Sequence, residues 1–244
     1  MPADRSQWAS SFRDKLPPWQ CPVCKKGHLF PIKDKLWMEE TGPSKSYHNH
    51  DAWEPEWIQK RFACFLECNF PDCKEIAVAS GSSGINYYQI GWDEDVSEDI
   101  FTVESVVPAP IPIQYPEDTP ENIVGAIGQA SALIWLSAEA AANAIRQSVE
   151  HLMDEAGIAA KNGTGKRVML HNRILDFQKT DQENGDVLLA TKWLGNTGSH
   201  VGGIIRDHVL DAFDMIELVL NSRYGARKTL MAKVAAVNAA KGPV

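Results

Sequence analysis

The sequence contains no apolar run of about 18 residues, the length that a membrane-spanning helix requires. Its first residues also lack a basic stretch followed by an apolar core, so we expect no signal peptide and a cytoplasmic protein. Cysteine is scarce, with five among 244 residues. In a reducing compartment, clustered cysteines favour metal binding over disulfide bonds.

A surplus of positive charge is lacking as well. The chain has 24 Lys and Arg against 32 Asp and Glu, which gives a formal net charge of −8. The overall field therefore does not attract nucleic acid, and any such contact needs a local basic patch. The segment after Ser222 carries Arg223, Arg227, Lys228, Lys233 and Lys241 without an acidic residue. This asymmetry suits RNA or an acidic partner, and it equally suits a solvated terminal helix.

Four of the five cysteines form two widely separated pairs, Cys21-Pro-Val-Cys24 and Cys68-Asn-Phe-Pro-Asp-Cys73. Each pair can form a tight turn that directs two thiolates at one point, and two such turns make the tetrahedral site of a zinc ion. Four thiolates leave no coordination position for water, so we predict a structural rather than a catalytic ion. Cys64 lies in an apolar run and is expected to be a core residue.

The first 113 residues divide into two parts. In residues 1–19, Trp8, Phe12 and Leu16 recur at helical spacing, which predicts an amino-terminal amphipathic helix. Residues 20–113 contain strand-like runs separated by clusters of Gly, Pro, Ser and Asn, a pattern typical of β structure. With the two cysteine pairs, this part is interpreted as a small zinc-ribbon-like β module.

A polar, aromatic loop interrupts the β-rich part at Tyr47–Trp57. Its two histidines, His48 and His50, are candidates for a second metal site. No cysteine or carboxylate at ligand spacing accompanies them, so we interpret both as solvated side chains.

The remaining residues, 114–244, are rich in Ala, Leu, Ile and Glu at helical spacing. Short connections between such helices predict an antiparallel bundle that ends in a basic helix. The fold class that follows is α+β, with a small amino-terminal β-rich module before the helical bundle.

Two polar groups stand out among the predicted helices. Arg146 and Glu150 are spaced to form an ion pair on one helix face. Asn196 and His200 lie between two helices, in a segment of small residues. Histidine exchanges protons near neutral pH, asparagine orients a ligand, and arginine binds phosphate, so Arg146, Asn196 and His200 are candidate catalytic residues. A helix cap and a structural ion pair explain the same residues without chemistry.

The helical half resembles the domain of unknown function 4145 family. The residues that carry this resemblance are Ala-Ala-x-Ala-Ile-Arg146-x-x-x-Glu150, Leu-His-Asn-Arg173-Ile and Gly195-Asn196-x-x-Ser199-His200. The preceding cysteine module is similar to modules that accompany such domains. The resemblance implies a HEPN-like helical bundle, a homodimer, and a link to prokaryotic phage-defence or restriction proteins.

Active HEPN ribonucleases carry Arg-x(4–6)-His, often as Arg-Asn-x-x-x-His, and form their site across a dimer. The chain resembles them at Asn196 and His200 but has Gly195 in the arginine position, which favours the fold over cleavage. The leading hypothesis is therefore a zinc-containing binding or scaffold protein that contacts RNA or a defence-protein partner. The first alternative is a metal-independent endoribonuclease using His200 with Arg146 or Arg206.

A second alternative is a DNA-binding accessory or transcription factor that uses the zinc module. Only four basic residues lie in the predicted strands of this module, namely Lys33, Lys35, Lys60 and Arg61. Acidic residues nearby offset their charge. The segment Asn162–Arg167 has the glycines and lysine of a phosphate loop, but it lacks the first glycine and a preceding strand. No nucleotide cofactor is expected.

Overall fold

The computed structural model describes residues 3–90, 94–196 and 203–243, without the side chains of residues 94, 95, 196, 227–229 and 232. It is α+β, as the sequence predicts, with an antiparallel sheet followed by a helical region. The chain divides into two units. One is Asp4–Pro110, and the other is Ile111–Val244 with Met1–Ala3.

Five antiparallel strands form the sheet unit in the order β1-β5-β4-β3-β2. The strands are β1 (Phe12–Arg13), β2 (Leu29–Glu40), β3 (Gln59–Cys68), β4 (Ile76–Ile90) and β5 (Glu94–Val107). The last three form a meander in which each strand pairs with the next, and β2 extends it on the β3 side.

Burial alternates along the central strands with the period of two that a pleated strand imposes. In β3, the side chains of Phe62, Cys64, Leu66 and Cys68 are buried, while their neighbours are at least partly exposed. Cys64 is 2% exposed, which confirms it as a core residue. The alternation places Cys68 on the same face as the core and at the very end of β3.

The predicted amino-terminal helix over residues 1–19 is wrong. The segment has one 3-10 turn, Arg5–Trp8, and then the short strand β1, whose Phe12 pairs with Phe101 of β5. Trp8, Phe12 and Leu16 are nevertheless all buried. A helix of this length is marginal in water, whereas pairing with the edge of β5 supplies backbone hydrogen bonds and burial together.

Six helices form the helical unit within the described ranges. They are α2 (Glu121–Leu133), α3 (Ala138–Glu155), α4 (Leu170–Gln178), α5 (Gln182–Asn196), α6 (Arg206–Tyr224) and α7 (Ala226–Ala240), while the short α1 (Gly42–Tyr47) belongs to the sheet unit. Ser137 begins α3 by accepting a hydrogen bond from the Ala140 backbone N–H at 3.1 Å. None of the helices described here combines the length and apolarity needed to cross a membrane.

Helix α3 lies at the centre of the helical unit and contacts α2, α4, α5 and α6. Its buried side chains recur at intervals of three and four, which gives one apolar stripe. This core side includes Ala141, Ile145, Val149 and Leu152. Arg146 and Glu150 lie outside that stripe and remain partly exposed.

A β-bulge between β4 and β5 gives a test of the sheet register. Glu104 is the extra residue, because Ser80 pairs with Ser105 and Gly81 pairs with Val103. A Cβ at Gly81 would overlap the Thr102 carbonyl oxygen and lie 2.9 Å from the Glu104 nitrogen.

Gly81→Ala is therefore expected to reduce the free energy of unfolding of the sheet unit by about 1–3 kcal/mol, the usual effect of overpacking. The matched control is Gly84→Ala in the same strand, where the nearest atom to an added Cβ is 3.8 Å away. This change is expected to raise the free energy of unfolding by up to about 1 kcal/mol. Urea denaturation of both variants measures the difference, and equal losses would contradict the close approach at Gly81.

Candidate metal centre and arginine cluster

The structure brings together Cys21, Cys24, Cys68 and Cys73, the four cysteines that the sequence singles out. Their sulfur atoms all lie within 4.8 Å of one another. The Cys21 and Cys73 sulfurs are 3.9 Å apart, and those of Cys24 and Cys68 are 3.6 Å apart. Two chain segments 44 to 52 residues apart thus meet at one point. This donor set fits a tetrahedral metal ion bound by thiolates.

The two turns that carry the cysteines share a backbone conformation. Lys25 follows Cys24 with φ 56°, and Lys74 follows Cys73 with φ 53°, so both lysines adopt the left-handed conformation. In the first turn this conformation lets the backbone N–H groups of Lys26 and Gly27 donate to the Cys24 sulfur, each at 3.4 Å. Such donors stabilise a thiolate rather than a thiol.

Gly27 is a residue of this centre that the spacing of the cysteines does not reveal. A Cβ at this position would lie 2.6 Å from the Cys68 sulfur and 2.8 Å from the Asn69 side-chain oxygen. Only a glycine therefore lets the two turns approach each other at this distance. The signal in the sequence is a glycine three residues after Cys24.

The electrostatics of the four thiols differ. Hydrogen bonds from the backbone, first that of Gly27, lower the pKa of Cys24 to about 6. Burial raises the pKa of Cys68 to about 12, and burial also raises the pKa of Cys21. A bound cation would favour the thiolate form at the buried positions and offset their desolvation. The site is therefore suited to charge-compensated thiolates rather than to four buried thiols.

A second polar site lies in the helical unit and joins two of the motifs that carry the family resemblance. Glu150 accepts from Arg146 at 3.2 Å and from Arg167 at 3.1 Å. One helical turn further along α3, Asp154 accepts from Arg173 of α4 at 2.6 Å. We call these five residues the arginine cluster. It borders a cavity of about 150 Å³ lined by Glu150, Asp154, Arg167 and Arg173, together with apolar residues.

Arg173 is the buried member of the arginine cluster. It is 4% exposed and also donates to the Ile158 carbonyl oxygen at 2.7 Å. Its Nε is buried and has no hydrogen-bond partner within the described part of the chain. A buried cation that keeps an unused N–H beside a cavity can donate a hydrogen bond to an anionic or carbonyl oxygen of a ligand.

The third motif, from Gly195 to His200, is only partly within the described residues. A Cβ at Gly195 would lie 3.9 Å from the Arg146 Cβ, so the end of α5 packs against the turn of α3 that carries Arg146. Asn196 is the last residue of α5, while its side chain and all of His200 lie outside the described residues. The approach of His200 to Arg146 therefore stays a prediction.

Arg206, the other arginine considered for a catalytic role, begins α6. Its guanidinium lies 5.3 Å from the Trp135 ring centroid and donates to the Trp135 carbonyl oxygen at 3.4 Å. Burial lowers the pKa of Arg206. These contacts place it against the connection between α2 and α3.

The thiol pKa values lead to a test by alkylation. In chelator-treated protein at pH 7, Cys24 is expected to react with iodoacetamide before Cys64, because a thiol with a pKa of about 6 is mostly thiolate. Burial raises the pKa of Cys64 and also shields its sulfur. Lowering the pH from 7 to 5 returns the proton to Cys24 and should slow its alkylation roughly tenfold. Peptide mapping by mass spectrometry measures both rates, and equal rates at Cys24 and Cys64 would contradict this assignment.

Comparison with protein families gives two matches, one in each part of the chain. Residues 10–105 match a domain of unknown function, DUF8608, and residues 128–240 match another, DUF4145. Searches of curated proteins and of solved structures gave no match. The resemblance of the helical half to the 4145 family is thereby confirmed. The DUF8608 match spans the four-cysteine centre and nearly all of the sheet, and the DUF4145 match spans the arginine cluster.

Proposed function

We propose that this chain is a zinc-containing binding or scaffold protein, in which a structural ion stabilises the sheet unit and the helical unit contacts RNA. The geometry of the four sulfurs carries the zinc part of the proposal. Zinc binds thiolates at about 2.3 Å, which places the sulfurs of a tetrahedral site about 3.8 Å apart. The separations of 3.6 and 3.9 Å agree with this value.

Four cysteine ligands would fill a tetrahedral coordination shell and leave no position for a reacting water. The role we assign to the ion is therefore structural. It would connect the turn before β2 with the turn between β3 and β4, which are distant in sequence. Such a connection makes the folding of the sheet unit depend on metal binding.

Purified protein is expected to contain about one zinc ion per chain, and chelation should lower the thermal stability of the sheet unit. Cys73→Ser should remove the metal, because it replaces one of the four ligands. Cys73 is only half-buried, so the change should disturb packing little. Cys64→Ala is the control, because it changes a more deeply buried cysteine outside the centre and should leave the metal content unchanged. Elemental analysis of both variants measures this. A metal-free protein that zinc does not stabilise would contradict the proposal.

The RNA part of the proposal rests on the arginine cluster. Arg146 and Arg167 have side chains that are 34% and 75% exposed, and both guanidiniums pair with Glu150. Guanidinium groups fixed at one place on a surface are suited to bind the phosphates of a nucleic acid. The resemblance to HEPN-like proteins supports RNA as the partner. It also supports a homodimer, which light scattering would measure, and a role in prokaryotic phage defence or restriction.

We do not extend the proposal to RNA cleavage or to DNA binding by the sheet. Gly195 occupies the position of the arginine in active HEPN ribonucleases, and Arg146 is ion-paired with Glu150. The cations on the sheet that would contact DNA are neutralised in part. Lys60 pairs with Asp99 at 3.0 Å, and Arg61 lies 3.7 Å from Glu104.

RNA binding is expected to weaken as the salt concentration rises, because each bound phosphate releases counterions. For single-stranded RNA, Arg146→Ala with Arg167→Ala should reduce the slope of log affinity against log salt by about 1.4, the effect of two lost phosphate contacts. Lys179→Ala is the matched control. Its side chain is 74% exposed and paired with Asp176, as Arg167 is with Glu150.

Gel-shift titrations at several salt concentrations measure these slopes. Absence of salt-dependent binding by the wild type to both single-stranded and double-stranded RNA would refute this part of the proposal. An equal loss in the Lys179 variant would mean that the attraction is diffuse rather than located at the arginine cluster.

A further inference from the structure

The chain between β2 and β3 forms a cleft of about 310 Å³ on the sheet unit. Helix α1 forms one side, and the 3-10 turn Pro55–Trp57 forms the other. The lining residues are Pro43, Ser44, Tyr47, Glu56, Trp57 and Gln59. Here this space is called the aromatic cleft. Neither the metal centre nor the arginine cluster contributes a residue to it.

Two rings meet at a right angle in the aromatic cleft. The planes of Tyr47 and Trp57 are inclined by 88°, and their centroids are 5.9 Å apart. Both residues are exposed, by 51% and 39%. The corner between two perpendicular rings is bounded by π-electron faces, which carry negative charge. The imidazole of His50 lies 5.5 Å from the Trp57 ring and helps to fix its position.

Internal hydrogen bonds already occupy the polar groups at the base of the cleft. The Ser44 hydroxyl is buried, donates to Glu40 at 2.7 Å and accepts from the Gln59 backbone N–H at 3.0 Å. Thr41 caps α1 through its side chain, which holds the helix in place. The groups left to recognise a ligand are therefore the two rings, the carboxylate of Glu56 and the side-chain amide of Gln59.

The chain segment that forms the cleft carries more negative than positive charge. Residues 39–59 contain five carboxylates and one lysine, and that lysine, Lys45, lies 3.8 Å from Glu39. Asp51, Glu54 and Glu56 have no ion-pair or hydrogen-bond partner for their side chains among the residues that the structure describes. This field repels phosphate and attracts cations. Exposed aromatic rings can stack on a nucleic-acid base, but in this field a cation is the favoured ligand.

We propose that the aromatic cleft binds an organic cation of the alkylammonium class, with Tyr47 and Trp57 as its walls and Glu56 as its counter-charge. Alkylammonium groups bind to the faces of tryptophan and tyrosine, and a desolvated site strengthens this attraction. The cleft volume is at the low end of the range for small-molecule sites, which fits one ammonium head group. The group would be part of a free small molecule or the side chain of a basic peptide.

Calorimetric titration of the full chain with choline tests the proposal. The comparison ligand is 3,3-dimethylbutan-1-ol, which has the shape of choline without its charge. Choline is expected to bind roughly tenfold more tightly than this neutral compound, which is the size of a cation–π contribution in a partly desolvated site. Equal binding of the two compounds, or no binding of choline, would overturn the proposal.

Two pairs of variants locate the binding. Trp57→Ala should abolish choline binding, whereas Trp37→Ala should not, because Trp37 is an exposed tryptophan of β2 outside the cleft lining. Glu56→Gln should weaken binding several-fold, whereas Glu54→Gln, at a neighbouring carboxylate that contributes to the field but does not line the cleft, should weaken it clearly less. Trp57→Phe should retain most of the affinity, which separates loss of the ring from loss of the fold. Unchanged binding in Trp57→Ala would refute the cleft as the site.

A third titration distinguishes the two sources of the cation. A short peptide that contains one trimethyllysine carries the same head group as choline. Binding more than about tenfold tighter than that of choline would identify a partner protein, because the additional affinity must come from backbone and neighbouring contacts. Equal affinities would identify a free small molecule. The same peptide with glutamine in place of trimethyllysine lacks the ammonium group and should not bind.

Discussion

The sheet unit depends on four sulfur atoms that lie within 4.8 Å of one another. Thiolates repel at this distance, and buried thiols lose hydration without gaining strong hydrogen bonds. A divalent cation would resolve both costs at once. Because the cysteines come from the turn before β2 and from both ends of the β3–β4 connection, a bound ion would also set where the two strands begin and end relative to each other.

The sequence predicts local chemistry better than it predicts the path of the chain. Cysteine spacing identifies the four-sulfur centre, because each pair is a local turn and only one long-range contact has to be inferred. The amino-terminal segment shows the opposite case. Trp8, Phe12 and Leu16 are four residues apart, and this interval fits a helix period of 3.6 and also a strand period of two. Burial follows from the pattern, but the local structure does not: Trp8 ends a 3-10 turn, and Phe12 pairs with the edge of β5, which the pattern does not contain.

The arginine cluster could be predicted only in part for the same reason. The pair of Arg146 and Glu150 follows from its spacing on one helix. Arg167 lies in the loop before α4, and Arg173 lies in that helix, so their approach to α3 depends on tertiary packing. The aromatic cleft is a further example, since its two rings belong to different short elements that are separated by a loop. In each case the residue types are visible in the sequence, and the juxtaposition is not.

The two left-handed lysines beside the metal centre have a consequence for metal exchange. A residue with a side chain costs roughly 1–2 kcal/mol in this conformation, whereas glycine adopts it freely. Where the turns close only as an ion binds, Lys25 and Lys74 together would weaken metal affinity by roughly 30-fold to 1000-fold relative to glycine turns. The affinity of the centre would then depend in part on two residues outside the ligand set. Substitution at these positions would tune metal retention while leaving every ligand in place.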